Sequence, residues 1–233
     1  MKIDAEKILK VIDEVTTFIC TFFFVSVLII SGYFIYDSVN VRNDSKSSSV
    51  SDYRPIIDSA TGEWDLDDSM SLNGDIIGWV QVDDTTIDLP LLQNTEQKNY
   101  LNYDFRGRPS ISGSLYLANN ETINDELVVI YGHHIDGGAM LGCLDAFTDE
   151  SYLQSHRTGR VITPEGVYEF TVVACGQVDA YSSLYDGNVE GLENITIYSG
   201  NLDALAGQEV FVFSTCTNSN GLERLVLIAV ADS

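Results

Sequence analysis

The stretch EVFVFSTCTNSNGLERLVLIAV, from Glu209 to Val230, decides the fold of this chain. Two apolar, β-prone runs flank a short polar segment, a pattern that predicts two neighbouring antiparallel strands joined by a turn. A single cysteine, Cys216, ends the first run, and a single arginine, Arg224, begins the second. Antiparallel pairing of the two strands would bring these two residues close together across the ladder.

The same β pattern extends through most of the chain before this stretch. Short apolar runs are separated by turn signals such as Asp83-Asp84 and Pro164-Glu165-Gly166. The other predicted strands lie within Asp75–Gln93, Gly113–Ala118, Glu126–His134 and Gly159–Ala180. Roughly eight short strands of this kind predict a mainly β domain that closes into a barrel. A long polar loop that carries a helix around Asn201–Ala206 is expected before the final two strands.

The N-terminal part of the chain contains one segment that predicts a membrane-spanning helix. Between Glu14 and Asp37 there are 22 residues without a formal charge, from Val15 to Tyr36. At about 1.5 Å per residue, such a helix would cover roughly 33 Å, enough for a hydrocarbon core of about 30 Å. The segment is too long for the apolar region of a typical signal peptide, so we favour an uncleaved signal anchor over a cleaved signal.

These features divide the chain into four regions. We expect a cytoplasmic N-terminus at 1–14, a transmembrane signal anchor at 15–36, a serine-rich stalk with an N-terminal helical segment at 37–71, and the barrel at 72–233. Lysines precede the span, and the cytoplasmic flanks of such helices are enriched in Lys and Arg. We therefore expect a single-pass membrane protein whose large domain lies outside the cell.

The composition limits the classes of function that are open to this chain. Its 233 residues are 45% hydrophobic, which is enough for a substantial core. Its net charge of −23 argues against a nucleic-acid partner, because phosphate binding needs clustered Lys and Arg. The four cysteines form neither a CxxC pair nor a zinc-ligand spacing, so no metal or other cofactor is predicted. The spacing of Cys143 and Cys175 leaves open whether they form a disulfide.

The residues that could carry chemistry are Cys216, the adjacent histidines His133 and His134, and Arg224. A thiol at a strand end, among hydroxyls, suits a nucleophile, although a half-exposed inert cysteine shows the same pattern. A histidine in the turn after a buried strand can act as an acid or base, or simply occupy a solvated turn. An arginine at the start of an apolar strand either points into solvent at the strand end or donates hydrogen bonds to an oxyanion.

Three blocks of the sequence resemble the sortases, the membrane-anchored cysteine transpeptidases of Gram-positive surfaces. NGDIIGWVQVDDTTIDLPLLQNTEQKNYLNYDFRGRPSISGSLYLA, from Asn73 to Ala118, resembles the first third of the class B domain. VVIYGHHIDGGAMLGCL, from Val128 to Leu144, resembles the segment around the family histidine, which directly follows a glycine. VFVFSTCT, followed by Arg224, resembles the family signature TLxTC with its downstream arginine. The similarity runs from about Leu72 to Asp232.

The resemblance implies a fold and a set of roles. The fold is a closed eight-stranded β-barrel of the sortase type, with an N-terminal helix and a helix-bearing loop. Cys216 would be the nucleophile, His133 the acid and base, and Arg224 the group that stabilises the oxyanion or holds the substrate. The residues expected on the substrate side are Ser214, Thr215 and His134. His134 is also a rival for the role of His133, and the sequence does not separate the two.

The chemistry of the family also implies the partners. A sortase thiolate attacks the Thr-Gly carbonyl of a sorting motif similar to LPxTG or NPxTN, and an amine of peptidoglycan or a pilin lysine then accepts the acyl group. Val212-Phe213 stands where the signature usually has Thr-Leu, a change that affects substrate fit more than catalysis. Two alternatives remain: an anchored cysteine protease, which would use water as the acceptor, and a non-catalytic surface-binding barrel.

Overall fold

The computed structural model describes residues 5–44, 50–59, 61–203, 205, 207–216 and 222–232. It divides the chain into two compact units, Met1–Val41 and Arg42–Ser233. The helix α1, which spans Ala5–Asp44, makes up the described part of the first unit and continues past Val41 to Asp44. Within α1, the segment Glu6–Tyr36 is long and apolar enough to cross a membrane, by length and composition. The helix continues past Tyr36 into the region for which the sequence predicts a stalk.

The second unit begins with a 3₁₀ turn at Ser51–Tyr53, a hairpin of β1 (Ile56–Ile57) and β2 (Trp64–Asp65), and the helix α2 (Asp67–Leu72). The next strands are β3 (Ile76–Val82), β4 (Asp88–Gln93), β5 (Leu115–Leu117), β6 (Leu127–Tyr131), β7 (His134–Ile135) and β8 (Ala139–Met140). A 3₁₀ helix at Leu141–Thr148 and the helix α3 (Glu150–Ser155) follow. The remaining strands are β9 (Thr158–Thr163), β10 (Gly166–Asp179), β11 (Thr196–Gly200), β12 (Val210–Cys216) and β13 (Glu223–Ala231).

Eight of these strands close into a mixed barrel, which confirms the predicted fold class. The order around the barrel is β9-β3-β4-β5-β6-β12-β13-β10, and the first half of β10 pairs with β9 to close the ring. The pairs β4–β5 and β6–β12 are parallel, whereas the other neighbours in the ring are antiparallel. Because β6 and β12 are parallel, their carboxyl ends reach the same end of the barrel. β11 pairs with the second half of β10, outside the ring.

The strand β12 is buried on both faces, and each face belongs to a different core. Phe211 and Phe213 lie in the barrel core, where both contact Phe170. Val210 and Val212 lie in a second, smaller core on the outer face of the barrel wall. Because neither face meets water, the sequence of β12 reads as an almost continuous apolar run instead of an alternating one.

The loop 180–207 covers this outer core. It contains two 3₁₀ helices, Ser183–Asp186 and Val189–Asn194, which bury Leu184 and Leu192 against the barrel wall. The loop therefore forms a second layer over β12 and β13, and its apolar residues supply the contacts that hold it there.

The helices of this loop occur earlier than the sequence predicts. A helix is expected around Asn201–Ala206, but the described residues of that segment, 201–203 and 205, form no helix, and the other two lie outside the described residues. Ser182 and Asn188 explain where the helices begin, because the side-chain oxygen of each accepts a backbone N–H of the turn that follows.

Candidate active site

A cleft of about 320 Å³ opens at the end of the barrel where β6 and β12 finish. The residues that line it are Leu101, Tyr116, Tyr131, Gly132, Ala180, Tyr185, Ser214, Thr215 and Arg224. These residues come from four strands, from the turn after β6, from the loop between β4 and β5, and from the loop 180–207. Three of the residues that the sequence predicts for the site, Ser214, Thr215 and Arg224, therefore meet in one cleft.

Cys216 and Arg224 are direct partners in the ladder between β12 and β13. Cβ atoms of directly opposed residues in an antiparallel pair are about 4.5–5.5 Å apart. The half-buried Arg224 lines the cleft, and its Nη1 donates to the carbonyl oxygen of Glu223 at 3.3 Å. For Cys216 the structure describes the backbone, and residues 217–221 lie outside the described residues. The backbone register thus brings together the two residues that the opening stretch of sequence singles out.

His133 stands in the turn after β6, and both its backbone and its ring are held. The N–H of Gly132 donates to the carbonyl of Ser214 at 3.2 Å, which ties the start of the turn to β12. The ring nitrogen Nε2 of His133 lies 2.8 Å from the carbonyl oxygen of Leu101, a residue of the cleft. Because a carbonyl oxygen only accepts, Nε2 carries the hydrogen, and Nδ1 is the nitrogen that can gain or lose a proton.

The loop between β4 and β5 forms a cradle for the His133 ring. At Gly113, where φ is +60°, a Cβ would lie 3.0 Å from Cδ2 of His133 and 2.6 Å from the carbonyl oxygen of Leu101. The neighbouring Tyr100 is fully buried and donates from its hydroxyl to Asp75 at 2.6 Å. The loop is therefore anchored beside Leu101, and its close approach to the ring requires glycine at position 113.

His134 takes a different partner from its neighbour. Its Nε2 lies 2.9 Å from Oδ2 of Asp145, which belongs to the 3₁₀ helix Leu141–Thr148. Leu101, the partner of His133, lines the cleft, whereas Asp145 does not. The described contacts therefore connect His133 to the cleft, and they give no support to the substrate-side role predicted for His134.

Two hydroxyls of β12 lie at the cleft, and they differ in whether they already have a hydrogen-bond partner. The Oγ of Ser214 lies 2.9 Å from the hydroxyl of Tyr185, so it links the barrel to the loop 180–207. Thr215 is buried, and its Oγ1 has no hydrogen-bond partner among the described residues. A buried hydroxyl without a partner costs about 1–3 kcal/mol, so a ligand group that bonds to Thr215 would remove this cost.

Three tyrosines that the sequence pattern did not predict for the site line one wall of the cleft. Tyr116 and Tyr131 are cross-strand partners on β5 and β6, and their rings stack at 5.4 Å. The ring of Tyr185 lies 6.1 Å from that of Tyr131. Tyr131 donates from its hydroxyl to Glu121 at 3.1 Å, and burial raises the pKa of Glu121. The alternation of β6 could have indicated the position of Tyr131, because Leu127, Val129 and Tyr131 all face the outer core.

The other two cysteines of the barrel unit are free thiols outside the cleft. The structure contains no disulfide between Cys143 and Cys175, which answers the question that their spacing left open. Burial raises the pKa of both thiols, that of Cys175 to about 12. In the part of the chain that the structure describes, no group of three or more His, Cys, Asp or Glu side chains could hold a metal ion.

The sequence and the fold of this chain were compared with those of known proteins. No family model matches the chain. Over 172 residues it is 24% identical to sortase B of Listeria monocytogenes, a match that covers 69% of this chain and 70% of the relative. The crystal structure of a Streptococcus pyogenes class B sortase involved in pilus biogenesis matches 72% of this chain and 97% of its own, with 27% identity and a TM-score of 0.64. The structure of sortase B from B. anthracis in complex with AAEK1 matches 84% of this chain and 98% of its own, with 22% identity and a TM-score of 0.67.

Proposed function

This chain is a member of the sortase family with the class B barrel fold, and from that premise we propose that it is a membrane-anchored cysteine transpeptidase. The observation that carries the proposal is the pairing of Cys216 with Arg224 at the cleft, beside the turn that holds His133. The substrate is a surface protein with a C-terminal sorting motif of the Thr-Gly type, similar to LPxTG or NPxTN. The acceptor is an amine of peptidoglycan or a pilin lysine.

In the first step, the thiolate of Cys216 attacks the carbonyl carbon of the threonine. A C–S bond forms, and collapse of the tetrahedral intermediate breaks the C–N bond between Thr and Gly. His133, protonated on Nδ1, donates its proton to the leaving amine. The products of this step are a thioacyl enzyme and a released peptide with a free amino terminus.

In the second step, the acceptor amine attacks the thioester carbonyl. His133 takes a proton from the attacking nitrogen, the C–S bond breaks, and the thiolate of Cys216 leaves. The surface protein is then joined to the acceptor through a new amide bond. The proton that His133 donated in the first step is returned in the second, so both groups recover their starting protonation states.

Arg224 supports both steps through its charge. A guanidinium paired across the ladder from Cys216 favours the thiolate over the thiol, because a nearby positive charge lowers a thiol pKa. The same group donates hydrogen bonds to the oxyanion of each tetrahedral intermediate. A planar guanidinium is suited to this role, because it presents several N–H donors in a fixed geometry.

The lining of the cleft supports a peptide as the substrate. Thr215 offers a buried hydroxyl without a described partner, which suits a backbone group of an extended chain. The stacked rings of Tyr116 and Tyr131 offer an apolar surface to a side chain of the motif. We place the barrel outside the cell and α1 in the membrane, where both sorting signals and cell-wall precursors occur. The role of the Streptococcus pyogenes relative in pilus biogenesis supports a pilin lysine as one possible acceptor.

The test is mass spectrometry of the full-length protein with a peptide that contains a Thr-Gly bond, with and without an added amine. We expect a thioacyl adduct on Cys216 and, with the amine, a ligated product. Hydrolysis without transfer would instead support an anchored protease. If the peptide leaves neither adduct nor product, the protein is better described as a binding barrel.

Two substitutions sharpen this experiment. Cys216→Ala should abolish the adduct, and an adduct that persists would contradict the proposal. Arg224→Lys should lower turnover by about 100-fold, because an ammonium group does not replace the planar guanidinium. Arg108→Lys is the matched control, since Arg108 forms a two-nitrogen ion pair with Asp104 and does not line the cleft. Its turnover should equal that of the wild type.

A further inference from the structure

His134, the chain neighbour of His133, forms a hydrogen bond with Asp145 that the proposed mechanism does not use. The His134 side chain is 8% exposed and donates from Nε2 to Asp145 at 2.9 Å, whereas Asp145 is 64% exposed. His134 begins β7, which pairs with β8 in a short hairpin. Asp145 lies on the 3₁₀ helix that follows this hairpin. The bond therefore ties β7 to the helix.

The peptide that joins His133 to His134 lies in a tightly held frame. The N–H of Leu141 donates to the carbonyl of His133 at 3.1 Å. On the other side of His133, a Cβ at Gly132 would lie 2.6 Å from Leu115 and 2.9 Å from Leu141. Contacts from Leu115 and Leu141 therefore hold this segment, and the bond from His134 to Asp145 holds it from the other side.

From these contacts we propose that His134 and Asp145 form a positioning pair for His133. The proposal rests on the proposed function, in which His133 transfers the proton. Without the Asp145 carboxylate, the N–H of a nearly buried imidazole would lose its acceptor, and His134 would turn to find another. The shared peptide would then be held on one side only, and its shift would move the His133 ring away from the carbonyl of Leu101.

The kinetic test compares substitutions of Asp145 in the full-length protein, with the Thr-Gly peptide and an amine. We expect Asp145→Ala to lower kcat by about tenfold and to change KM by less than about twofold, because the proton donor is misplaced while the peptide cleft is intact. Asp145→Asn keeps a side-chain oxygen that accepts the N–H of His134. It should therefore restore kcat to within about threefold of the wild type.

Asp149→Ala is the matched control. Asp149 is exposed on the same segment and caps α3, where its carboxylate accepts the N–H groups of Ser151 and Tyr152 at 2.9 Å and 3.0 Å. Loss of this cap should lower Tm and change kcat by less than about twofold. The comparison separates an effect on His133 from a general loss of stability.

A second readout does not depend on activity. The chain contains three histidines, so ¹³C-labelled histidine gives three sets of ring signals in the full-length protein in lipid nanodiscs. Asp145→Ala should shift the signals of His133 and His134 and leave those of His156 unchanged. Asp149→Ala should do the reverse, because the ring of His156 stacks on Tyr152 of α3 at 3.8 Å.

Unchanged His133 signals in Asp145→Ala would overturn the positioning role, as would an unchanged kcat or a change confined to KM. A wild-type protein that forms no thioacyl adduct would refute the proposed function instead. In that case the ring signals would still decide whether Asp145 sets the position of His133, so the two proposals fail separately.

Discussion

At the residue scale, Gly113 lies against the ring of His133 with a φ of +60°, and both features favour glycine. A Cβ at this position would approach Cδ2 of His133 to 3.0 Å and the carbonyl oxygen of Leu101 to 2.6 Å. We expect Gly113→Ala to lower kcat/KM at least about tenfold, because the ring is displaced from Leu101. It should also cost about 1–2 kcal/mol of stability through the backbone. Steady-state kinetics and chemical unfolding measure the two effects.

Gly187 provides the control for backbone strain. Its φ is +76°, and a Cβ there would meet nothing within 4 Å. Gly187→Ala should therefore cost a similar amount of stability and leave kcat/KM unchanged. Equal losses of activity in Gly187→Ala and Gly113→Ala would mean that strain, and not contact with His133, causes the effect.

Glu121 predicts a pH dependence of stability. It accepts the hydroxyl of Tyr131 and the N–H of Ala118, and burial raises its pKa above the ordinary value of 4.5. A group with a raised folded-state pKa contributes stability that is complete below the unfolded-state pKa and is lost as the pH rises through the folded-state value. We therefore expect the free energy of unfolding of the wild type, relative to Glu121→Gln, to decrease as the pH rises above the ordinary carboxyl pKa of 4.5.

Urea unfolding at each pH measures this difference. Glu165→Gln is the control, because Glu165 is exposed in the turn between β9 and β10. It should show a much smaller trend. A difference between the wild type and Glu121→Gln that grows with pH would have the opposite sign and would contradict the effect assigned to burial.

The separation of the adjacent histidines also belongs to the residue scale. His133 bonds to a carbonyl 32 residues away in the chain, and His134 bonds to a carboxylate 11 residues away. The sequence left His134 as a rival for the role assigned to His133, because two adjacent histidines in a turn have the same local sequence environment. Acceptors supplied by other elements distinguish them, and local sequence does not record those acceptors.

At the scale of elements, the loop 180–207 is held to the barrel by its own small core. Leu192 is 2% exposed and packs in that core with Leu184 and Val212. We expect Leu192→Ala to cost about 2–5 kcal/mol of local stability, because a large buried side chain is removed. Amide hydrogen exchange, followed by mass spectrometry, should speed up across 183–200 while the barrel strands keep their protection.

Leu227→Ala is the control for this prediction. Leu227 is a fully buried residue of β13 in the barrel core, so the same chemical change should lower protection throughout the barrel. Faster exchange in the barrel strands of Leu192→Ala, at the level seen in Leu227→Ala, would show that the loop and the barrel do not open separately.

The barrel strands were predictable, and their order was not. β3, β4, β9, β10, β12 and β13 coincide with apolar runs bounded by turn residues, because burial imposes that pattern on each strand. The parallel contact between β6 and β12 joins Val128 to Phe211, which are distant in the chain. An apolar run reports that a strand is buried and does not report which strand it meets, so this pairing was not predicted.

At the scale of the whole molecule, the cysteines of the barrel unit should differ sharply in reactivity. Burial raises the pKa of Cys143 and of Cys175, which leaves little thiolate at pH 8. Beside Arg224, Cys216 should react first with iodoacetamide, as peptide mapping would measure. In Cys216→Ala the fast reaction in the barrel unit should disappear, and Cys143 and Cys175 should react once urea unfolds the protein. Equal rates for all three thiols in the folded protein would argue against an activated Cys216.

The sequence predicted the molecule's fold class and its candidate span, and the structure has the predicted residues Ser214, Thr215 and Arg224 in the lining of one cleft. The fold class and the span were predictable because buried strands and membrane helices both require runs of apolar residues. The cradle around Gly113 and the stacked rings of Tyr116 and Tyr131 were not predicted. Both depend on side chains and backbone that meet from different parts of the barrel, after the strands have paired.

The strand β13 comes last among the barrel strands in the chain, yet it lies between β10 and β12 in the ring. A nascent chain that emerges N-terminus first would therefore hold two unsatisfied strand edges until this strand arrives, and exposed edges are prone to aggregation and degradation. Arg224 arrives with the same strand. Completion of the ring and delivery of the guanidinium are thus one event, so under the proposed mechanism a half-made molecule would carry the Cys216 thiol without its arginine.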